Sequence, residues 1–171
     1  MRTAVPHIRP MTKRDPFNPV DNEARILARN LLDTSTYAAL AVLEDGHPSV
    51  SRIGFATTPQ GAPLSLISDL SSHTQALDQT PTCSILVGEP EDKGDPLTHP
   101  RLTLQATARF IRHGDAEHPA LRDHYLSQRP KAKLYIDFGD FRLVRFAVTS
   151  ALLNGGFGKA YKLTATDLLL P

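Results

Sequence analysis

The feature that most constrains this fold is a segment in the second half of the chain in which apolar and polar side chains alternate strictly, residue by residue. Between Arg101 and Arg112, apolar side chains occupy every second position. They are Leu102, Leu104, Ala106, Ala108 and Phe110, with Thr103, Gln105, Thr107 and Arg109 between them. This period is typical of a β-strand with one buried face. The rest of the chain must therefore supply partner strands for a long, half-buried strand.

Three earlier segments are predicted to be strands because short turns separate them. Residues 37–43 are almost continuously apolar and lead to Asp45-Gly46, a dipeptide that favours the positive backbone angles of a tight hairpin. Residues 48–57 and 63–68 follow, with a turn at Pro59-Gln60-Gly61 between them. The short connections predict that these three strands form a meander.

Two later segments complete the set of six predicted strands. Residues 82–87 form the fourth strand, and residues 141–153 form the last. The apolar phase of the last strand changes between Leu143 and Phe146, a slip that we interpret as a β-bulge. A bulge at this position would help the sheet to curl into a barrel.

Helices are predicted in the connections rather than in regular alternation with the strands. Asp21 caps a helix through Leu32, and a second helix covers residues 115–127, before Pro130. Ser72 and Gln75 have the spacing of a capping box that opens a shorter helix. Six strands joined mainly by turns, with helices between them, predict an antiparallel β-barrel of the α+β class.

Composition narrows the classes of partner. The 19 basic and 18 acidic residues are spread along the chain, so no basic patch for nucleic acid or for a membrane surface is predicted. No apolar run approaches the roughly 20 residues of a membrane-spanning helix, and no secretory signal is evident. Cys83, the only cysteine, lies in an apolar run and is predicted to be buried. A cytoplasmic protein with a small-molecule partner is expected.

The two ends of the chain differ from its middle. Residues 1–20 contain four prolines and several charges, and they are expected to form a flexible arm that is either disordered or wrapped around a partner subunit. Residues 21–171 are expected to form one domain. The apolar run Leu168-Leu169-Leu170-Pro171 would need a cover, and a dimer contact is one way to provide it.

The junction between the third strand and the short helix is the strongest candidate site. It brings together Ser68, Ser71, Ser72, His73 and Thr74. The first N–H groups of a helix lack intrahelical partners and its dipole is positive there, so the junction is suited to a phosphate monoester, to which His73 could add charge. Simple capping without a ligand is the alternative, because serine, threonine and aspartate cap helices in many proteins.

Arg52 is the second candidate, on a strand where it shares a face with Val50 and Gly54. It is either the partner of that phosphate or an ordinary outward-facing arginine. His113, His118 and His124 are five and six residues apart, which does not fit helical ligand pairs, so no metal site is predicted. No nucleophile elbow is present and no catalytic residue is identified.

Several further segments have a recognisable order and spacing. They are Ala39-Leu40-Ala41-Val42, Pro48-Ser49-Val50-Ser51-Arg52, Ser68-Asp69-Leu70-Ser71-Ser72-His73-Thr74, Gly94-Asp95-Pro96-Leu97, Pro100-Arg101-Leu102, Asp140-Phe141 and Gly155-Gly156-Phe157-Gly158. Together they resemble the pyridoxamine 5′-phosphate oxidase-related, FMN-binding split-barrel proteins, and within them the haem-utilisation branch of HugZ/HutZ type. The resemblance runs from about residue 22 to residue 163.

The resemblance implies a six-stranded split β-barrel with flanking helices that forms a homodimer with FMN in the cleft between subunits. The junction at residues 68–74 would hold the FMN phosphate with help from Arg52, and Arg101 or Gln105 would reach the flavin ring. Oxidase members have an Arg-Lys pair where this chain has His73-Thr74, which weakens the positive charge of the junction.

Three functions are consistent with this resemblance. The first is an FMN-dependent oxidoreductase acting on a small molecule. The second is a carrier of haem or of a haem product in the same cleft, and the third is a flavin-binding protein without turnover. Haem-degrading members supply an axial histidine from a C-terminal segment, whereas this sequence has no histidine after His124, so haem degradation by that route is not expected.

Overall fold

An antiparallel sheet organises the fold of this computed structural model, which describes residues 15–168. The eight strands of the described residues are β1 (Tyr37–Glu44), β2 (His47–Gly54), β3 (Ala56–Thr57), β4 (Pro63–Ser68), β5 (Thr82–Val87), β6 (Arg101–Ile111), β7 (Phe141–Asn154) and β8 (Ala160–Thr164). The strand order is β2-β1-β5-β6-β7-β4-β3, and β8 also pairs with β7. The predicted antiparallel α+β barrel is confirmed, with eight strands in place of six.

Three α-helices accompany the sheet in this part of the chain: α1 (Asn22–Thr34), α2 (Ser72–Gln79) and α3 (His118–Gln128). The Asp21 carboxylate accepts a hydrogen bond from the Ala24 N–H at 2.8 Å, so the predicted cap of α1 is confirmed. The third helix begins at His118 and not at Asp115, because the Asp115 carboxylate accepts from the Arg112 N–H at 2.9 Å and closes a turn first.

The predicted meander is correct for its first hairpin, whereas its third strand pairs with only the last two residues of the predicted second strand, 48–57. β1 and β2 pair through a turn in which Asp45 and Gly46 have φ angles of 50° and 80°. The chain then breaks at Phe55, which is fully buried, and the short β3 pairs with β4. β4 in turn pairs with β7 and not with β2. The bend at Phe55 therefore carries the chain around the barrel.

A side-chain hydrogen bond links the two sides of the barrel where β2 and β4 approach without pairing. The Ser65 hydroxyl on β4 donates to the Gly54 carbonyl at the end of β2, at 2.6 Å, and Ser65 is fully buried. The barrel is therefore closed at this seam by a serine rather than by a backbone ladder.

The predicted bulge in the last strand exists, but its position differs. β7 stays in register with β6 from Leu143 to Val148, and the register shifts at Thr149, opposite the step from Gln105 to Ala106. The change of apolar phase has another cause. Leu143 and Val144 are both buried because they point into different cores, one beneath α3 and the other inside the barrel.

Both ends of the described chain are attached to the domain. The Asn18 N–H donates to the Ala160 carbonyl at 2.8 Å, and Val20 packs against the main core. Leu168 is buried at the other end. The remainder of the predicted arm, residues 1–14, and the tail residues 169–171 lie outside the described residues. No helix in residues 15–168 is long and apolar enough to cross a membrane.

Cys83 packs in the main core, as predicted. Burial raises the pKa of its thiol to about 12, so the thiolate is not formed at neutral pH. Cys83 is therefore a packing residue and not a nucleophile.

Candidate functional site

The junction between β4 and α2 has the helix start that the sequence predicts, but not the predicted capping box. Ser71 is the N-cap residue and α2 begins at Ser72, with no side-chain cap bond. The Ser71 carbonyl accepts from the N–H groups of Thr74 and Gln75, at 3.0 and 3.3 Å. The N–H groups of Ser72 and His73 have no intrahelical acceptor, so they are available to a ligand. We call residues 71–74 the helix-start turn.

The hydroxyl groups of this region have different roles. Ser68 donates to Asp140 at 2.7 Å and accepts from the Leu70 N–H at 3.2 Å, so its hydroxyl is used to hold the turn. Thr74 is fully buried, and its hydroxyl has no hydrogen-bond partner in the described chain. A buried hydroxyl without a partner costs about 1–3 kcal/mol, which makes Thr74 the least satisfied polar group of the region.

The helix-start turn has less positive charge than the sequence suggests. Burial lowers the pKa of His73, an effect that Glu44 partly opposes, so the imidazole is neutral at pH 7. The arginine beside the turn is Arg142, which pairs with both Asp69 and Asp78. The sequence did not indicate that Arg142 lies beside this turn, because its ion pair with Asp69 depends on β4 lying next to β7. Its charge is already neutralised by two carboxylates.

Arg52 lies on the exposed side of β2, with Val50 and Gly54 on the same side, as the alternation predicts. Its guanidinium lies 5.1 Å from the centre of the Tyr37 ring. No hydrogen bond or ion pair joins Arg52 to the helix-start turn or to any carboxylate within residues 15–168. Among residues 15–168, the charge of Arg52 therefore has no anionic partner.

The exposed side of the sheet around Arg52 is partly apolar, and we call it the outer face. Its members are Tyr37, Ala39, Ala41, Leu43, Val50, Arg52, Ser84, Leu86, Thr103, Gln105 and Leu152. Val50 is 67% exposed, Leu43 47% and Leu86 41%. A hollow of about 400 Å³ lies on this face, between Ala41, Ser84 and Gln105. An open strand surface of this kind is suited to a flat ligand or to a second protein chain.

The remaining predicted residues lie on or beside the same face, but apart from Arg52. Gln105 accepts from the Ser150 hydroxyl at 2.7 Å. Arg101 donates to the carbonyls of Leu97 and His99, at 2.9 and 3.3 Å, and so holds the loop before β6. Three inter-strand spacings separate β2 from β6, which is about 14 Å. A single chain therefore does not bring Arg52 together with Arg101 or Gln105.

A larger apolar groove of about 480 Å³ lies between β4, the middle of β7 and Leu168. It contains none of the predicted site residues, and the chemistry of its lining offers no unpaired charge. The outer face and the helix-start turn therefore remain the candidate sites.

The model of the pyridoxamine 5′-phosphate oxidase family matches residues 26–154, which include both candidate sites. The chain belongs to this family. The family assignment agrees with the curled antiparallel sheet and with the helix that follows β4.

Two relatives within the family are named for haem. The chain is 38% identical over 102 residues to the chloroplastic heme oxygenase HOZ of Arabidopsis thaliana, a match that covers 59% of this chain and 30% of that protein. It is 28% identical over 148 residues to the heme oxygenase HutZ of Vibrio cholerae, covering 80% of this chain and 78% of that one. The chain thus spans less than a third of the length of the plant relative.

Solved structures agree with this assignment. A heme binding protein from Mycobacterium smegmatis superposes with a TM-score of 0.78 at 30% identity, over 88% of this chain and 62% of that one. Campylobacter jejuni ChuZ superposes with a TM-score of 0.77 at 23% identity, over 89% and 63%, and supports the fold alone. The chain lies in the haem-utilisation, HugZ/HutZ-type branch of the family.

Proposed function

We propose that this chain binds haem, or a tetrapyrrole derived from it, on its outer face, in a cleft that a second copy of the chain closes. The observation that carries the proposal is Arg52, a cation without an anionic partner among the described residues, beside exposed apolar strand residues. The names of the relatives support the same ligand.

The chemistry of this face fits the parts of a haem molecule. The macrocycle is flat and apolar, so Val50, Leu86 and the alanines between them can lie against it. Each propionate is a carboxylate, and a guanidinium binds a carboxylate with two parallel hydrogen bonds. Tyr37 holds the Arg52 guanidinium at the edge of the face, where a propionate would lie.

We propose binding rather than turnover, because the face offers no free imidazole for the iron. The histidine at its edge, His99, accepts from the Glu91 N–H at 3.2 Å and contacts the Lys93 carbonyl at 2.6 Å, so both ring nitrogens are engaged. The other histidines of the described residues lie off the outer face. A carrier of haem, or of a haem product, is the function that this arrangement supports.

Haem titration tests the proposal. Purified protein is titrated with hemin and the Soret band is recorded, with Arg52→Ala beside the wild type. We expect the Arg52→Ala variant to bind about tenfold more weakly, since one charged hydrogen-bonded pair is worth about 1.5–3 kcal/mol. Arg112→Ala is the control, because Arg112 is exposed and lies off the outer face. Equal affinity for all three proteins would contradict the proposal.

FMN binding with oxidoreductase activity on a small molecule is the second candidate. The unpartnered Thr74 hydroxyl and the free N–H groups of Ser72 and His73 favour it, because a phosphate monoester would accept from all three. The absorbance spectrum of untreated protein separates the candidates, since a flavin and a haem give different bands. If FMN binds, we expect Thr74→Val to weaken it, because this change removes one of the three donors, and we expect Ser127→Ala, a surface control, to leave it unchanged.

A further inference from the structure

Phe157 stands at the tip of the turn between β7 and β8 and is 99% exposed, the most exposed of the large apolar side chains in the described chain. Burial of a phenylalanine side chain stabilises a protein by roughly 1.5–3 kcal/mol. A phenylalanine that is almost wholly exposed in the described part of the chain is therefore positioned to be buried by something else.

The turn that carries Phe157 is held in place by hydrogen bonds on both sides. The Gly155 N–H donates to the Lys159 carbonyl at 2.7 Å, and the Gly156 N–H donates to the Asn154 side chain at 3.0 Å. The Asn18 side chain donates to the Gly158 carbonyl at 2.8 Å. The backbone of the turn that carries Phe157 is thus held in place by hydrogen bonds to both flanking strands and to Asn18.

Glycine is required at two positions beside the phenylalanine. Gly156 and Gly158 have φ angles of 112° and 71°, which side chains rarely allow. A Cβ on Gly156 would also lie 3.1 Å from the Thr98 carbonyl. The tight turn therefore displays one large aromatic ring between two residues that have no side chain.

The turn lies at the edge of the outer face, yet far from Arg52 of the same chain. Asn154 pairs with Arg101 on β6 and with Ala160 on β8. Five inter-strand spacings separate β2 from β8, which is about 24 Å along the sheet. On the outer face, the strands β1, β5, β6 and β7 thus lie between Arg52 and the turn that carries Phe157, and a second copy facing the outer face can bring its own Phe157 to a ligand held by Arg52.

We propose that Phe157 of one copy packs against the tetrapyrrole ring held by Arg52 on the outer face of the other copy. This inference rests on the proposed function and adds to it a residue that acts between subunits. An aromatic ring against the macrocycle excludes water from it and adds a favourable stacking contact. Each site is then incomplete without the partner.

Subunit complementation tests the inference. Arg52→Ala and Phe157→Ala chains with different tags are co-expressed, and the heterodimer is purified through both tags. If Phe157 acts between subunits, each site combines Arg52 of one chain with Phe157 of the other. The heterodimer then has both substitutions in one site, and its second site has neither. We expect one haem per heterodimer with the wild-type Kd, and about tenfold weaker binding to each homodimer. A heterodimer as weak as the homodimers at both sites would overturn the inference.

A fluorescence measurement tests whether position 157 lies between two copies of the chain. The chain has no tryptophan, so Phe157→Trp introduces a single reporter. We expect its emission to shift to the blue when subunits associate, and to be quenched by added haem. Leu134→Trp is the control, because Leu134 is 79% exposed on another part of the surface.

The two experiments separate the inference from the function on which it rests. Emission of a fully hydrated indole at position 157 in the associated protein would overturn the inference, whether or not haem binds. If the wild type binds no haem, the proposed function is wrong, and the proposed contact between Phe157 and the tetrapyrrole ring is wrong as well. The emission then still decides whether Phe157 lies between two copies.

Discussion

At the scale of single residues, the helix-start turn combines free donors with too little positive charge. Neither His73 nor Thr74 supplies a cation at pH 7, because burial lowers the pKa of His73 and threonine carries no charge. Arg142 is neutralised by Asp69 and Asp78. This balance is why the outer face, with Arg52 unpaired among the described residues, is the better site for an anionic group.

Replacement of Thr74 by valine is expected to stabilise the free protein by about 1 kcal/mol, because it removes a buried hydroxyl that has no partner. Thr58→Val is the matched control, and we expect it to lower the free energy of unfolding. Thr58 is also buried, but its hydroxyl accepts from the Ala62 N–H at 3.1 Å. Urea unfolding measures both effects. A loss of stability in Thr74→Val would show that the hydroxyl has a partner in solution.

The protonation of His73 gives a second prediction. Burial lowers the pKa of His73 below its ordinary 6.5, against the opposing effect of Glu44. The unfolded chain therefore binds this proton more tightly, and the free energy of unfolding should fall as pH falls below about 6.5. NMR titration should give a midpoint below 6.5, and a lower one in Glu44→Gln. A midpoint above 6.5 in the free protein would contradict this account.

At the scale of elements, Arg129 holds together three segments that the backbone ladder does not join. Its guanidinium donates to the carbonyls of Ser35, Phe55 and Gln128, which lie after α1, between β2 and β3, and at the end of α3. Burial lowers the pKa of Arg129, but the group remains a cation. The bend at Phe55 that closes the barrel is thus fixed by a side chain from a distant helix.

The Arg129→Met variant should lose about 3 kcal/mol of unfolding free energy, because it leaves three carbonyl groups without donors. Arg122→Met is the control, since Arg122 pairs with Asp123 and Asp137 at the surface and should matter little. Chemical unfolding followed by circular dichroism compares the two. Equal stability of both variants would show that the bend does not depend on Arg129.

At the scale of the whole molecule, the outer face leaves apolar side chains exposed on four strands, β1, β2, β5 and β7. Leu43, Leu86 and Leu152 are each more than 40% exposed, and Val50 is 67% exposed. A contiguous exposed apolar surface is typical of a site of association. A homodimer that packs outer face against outer face would bury these residues and would place two ligands between two subunits.

Leu86→Glu is expected to disrupt the proposed homodimer and to abolish haem binding, because it places a charge at the centre of the proposed interface. Leu134→Glu is the control, since Leu134 is equally apolar and more exposed, but lies off the outer face. Sedimentation velocity measures the association state. A dimeric Leu86→Glu variant would place the interface elsewhere.

Local patterns in the sequence were sufficient for several elements of this protein. The alternation in residues 101–112 predicted β6, Asp45-Gly46 predicted the hairpin between β1 and β2, and Asp21 predicted the start of α1. Each signal depends on residues within a few positions of one another, so no distant partner is needed to interpret it. The family resemblance, based on motifs in their order, was also available from the sequence.

Only the tertiary structure decided which strands pair and which charges meet. β4 lies beside β7 because the chain bends at Phe55, and this places Arg142 next to Asp69. The same topology places three inter-strand spacings between Arg52 and Arg101. These features depend on contacts between residues far apart in the chain, where closure of the barrel, rather than local preference, determines the neighbours.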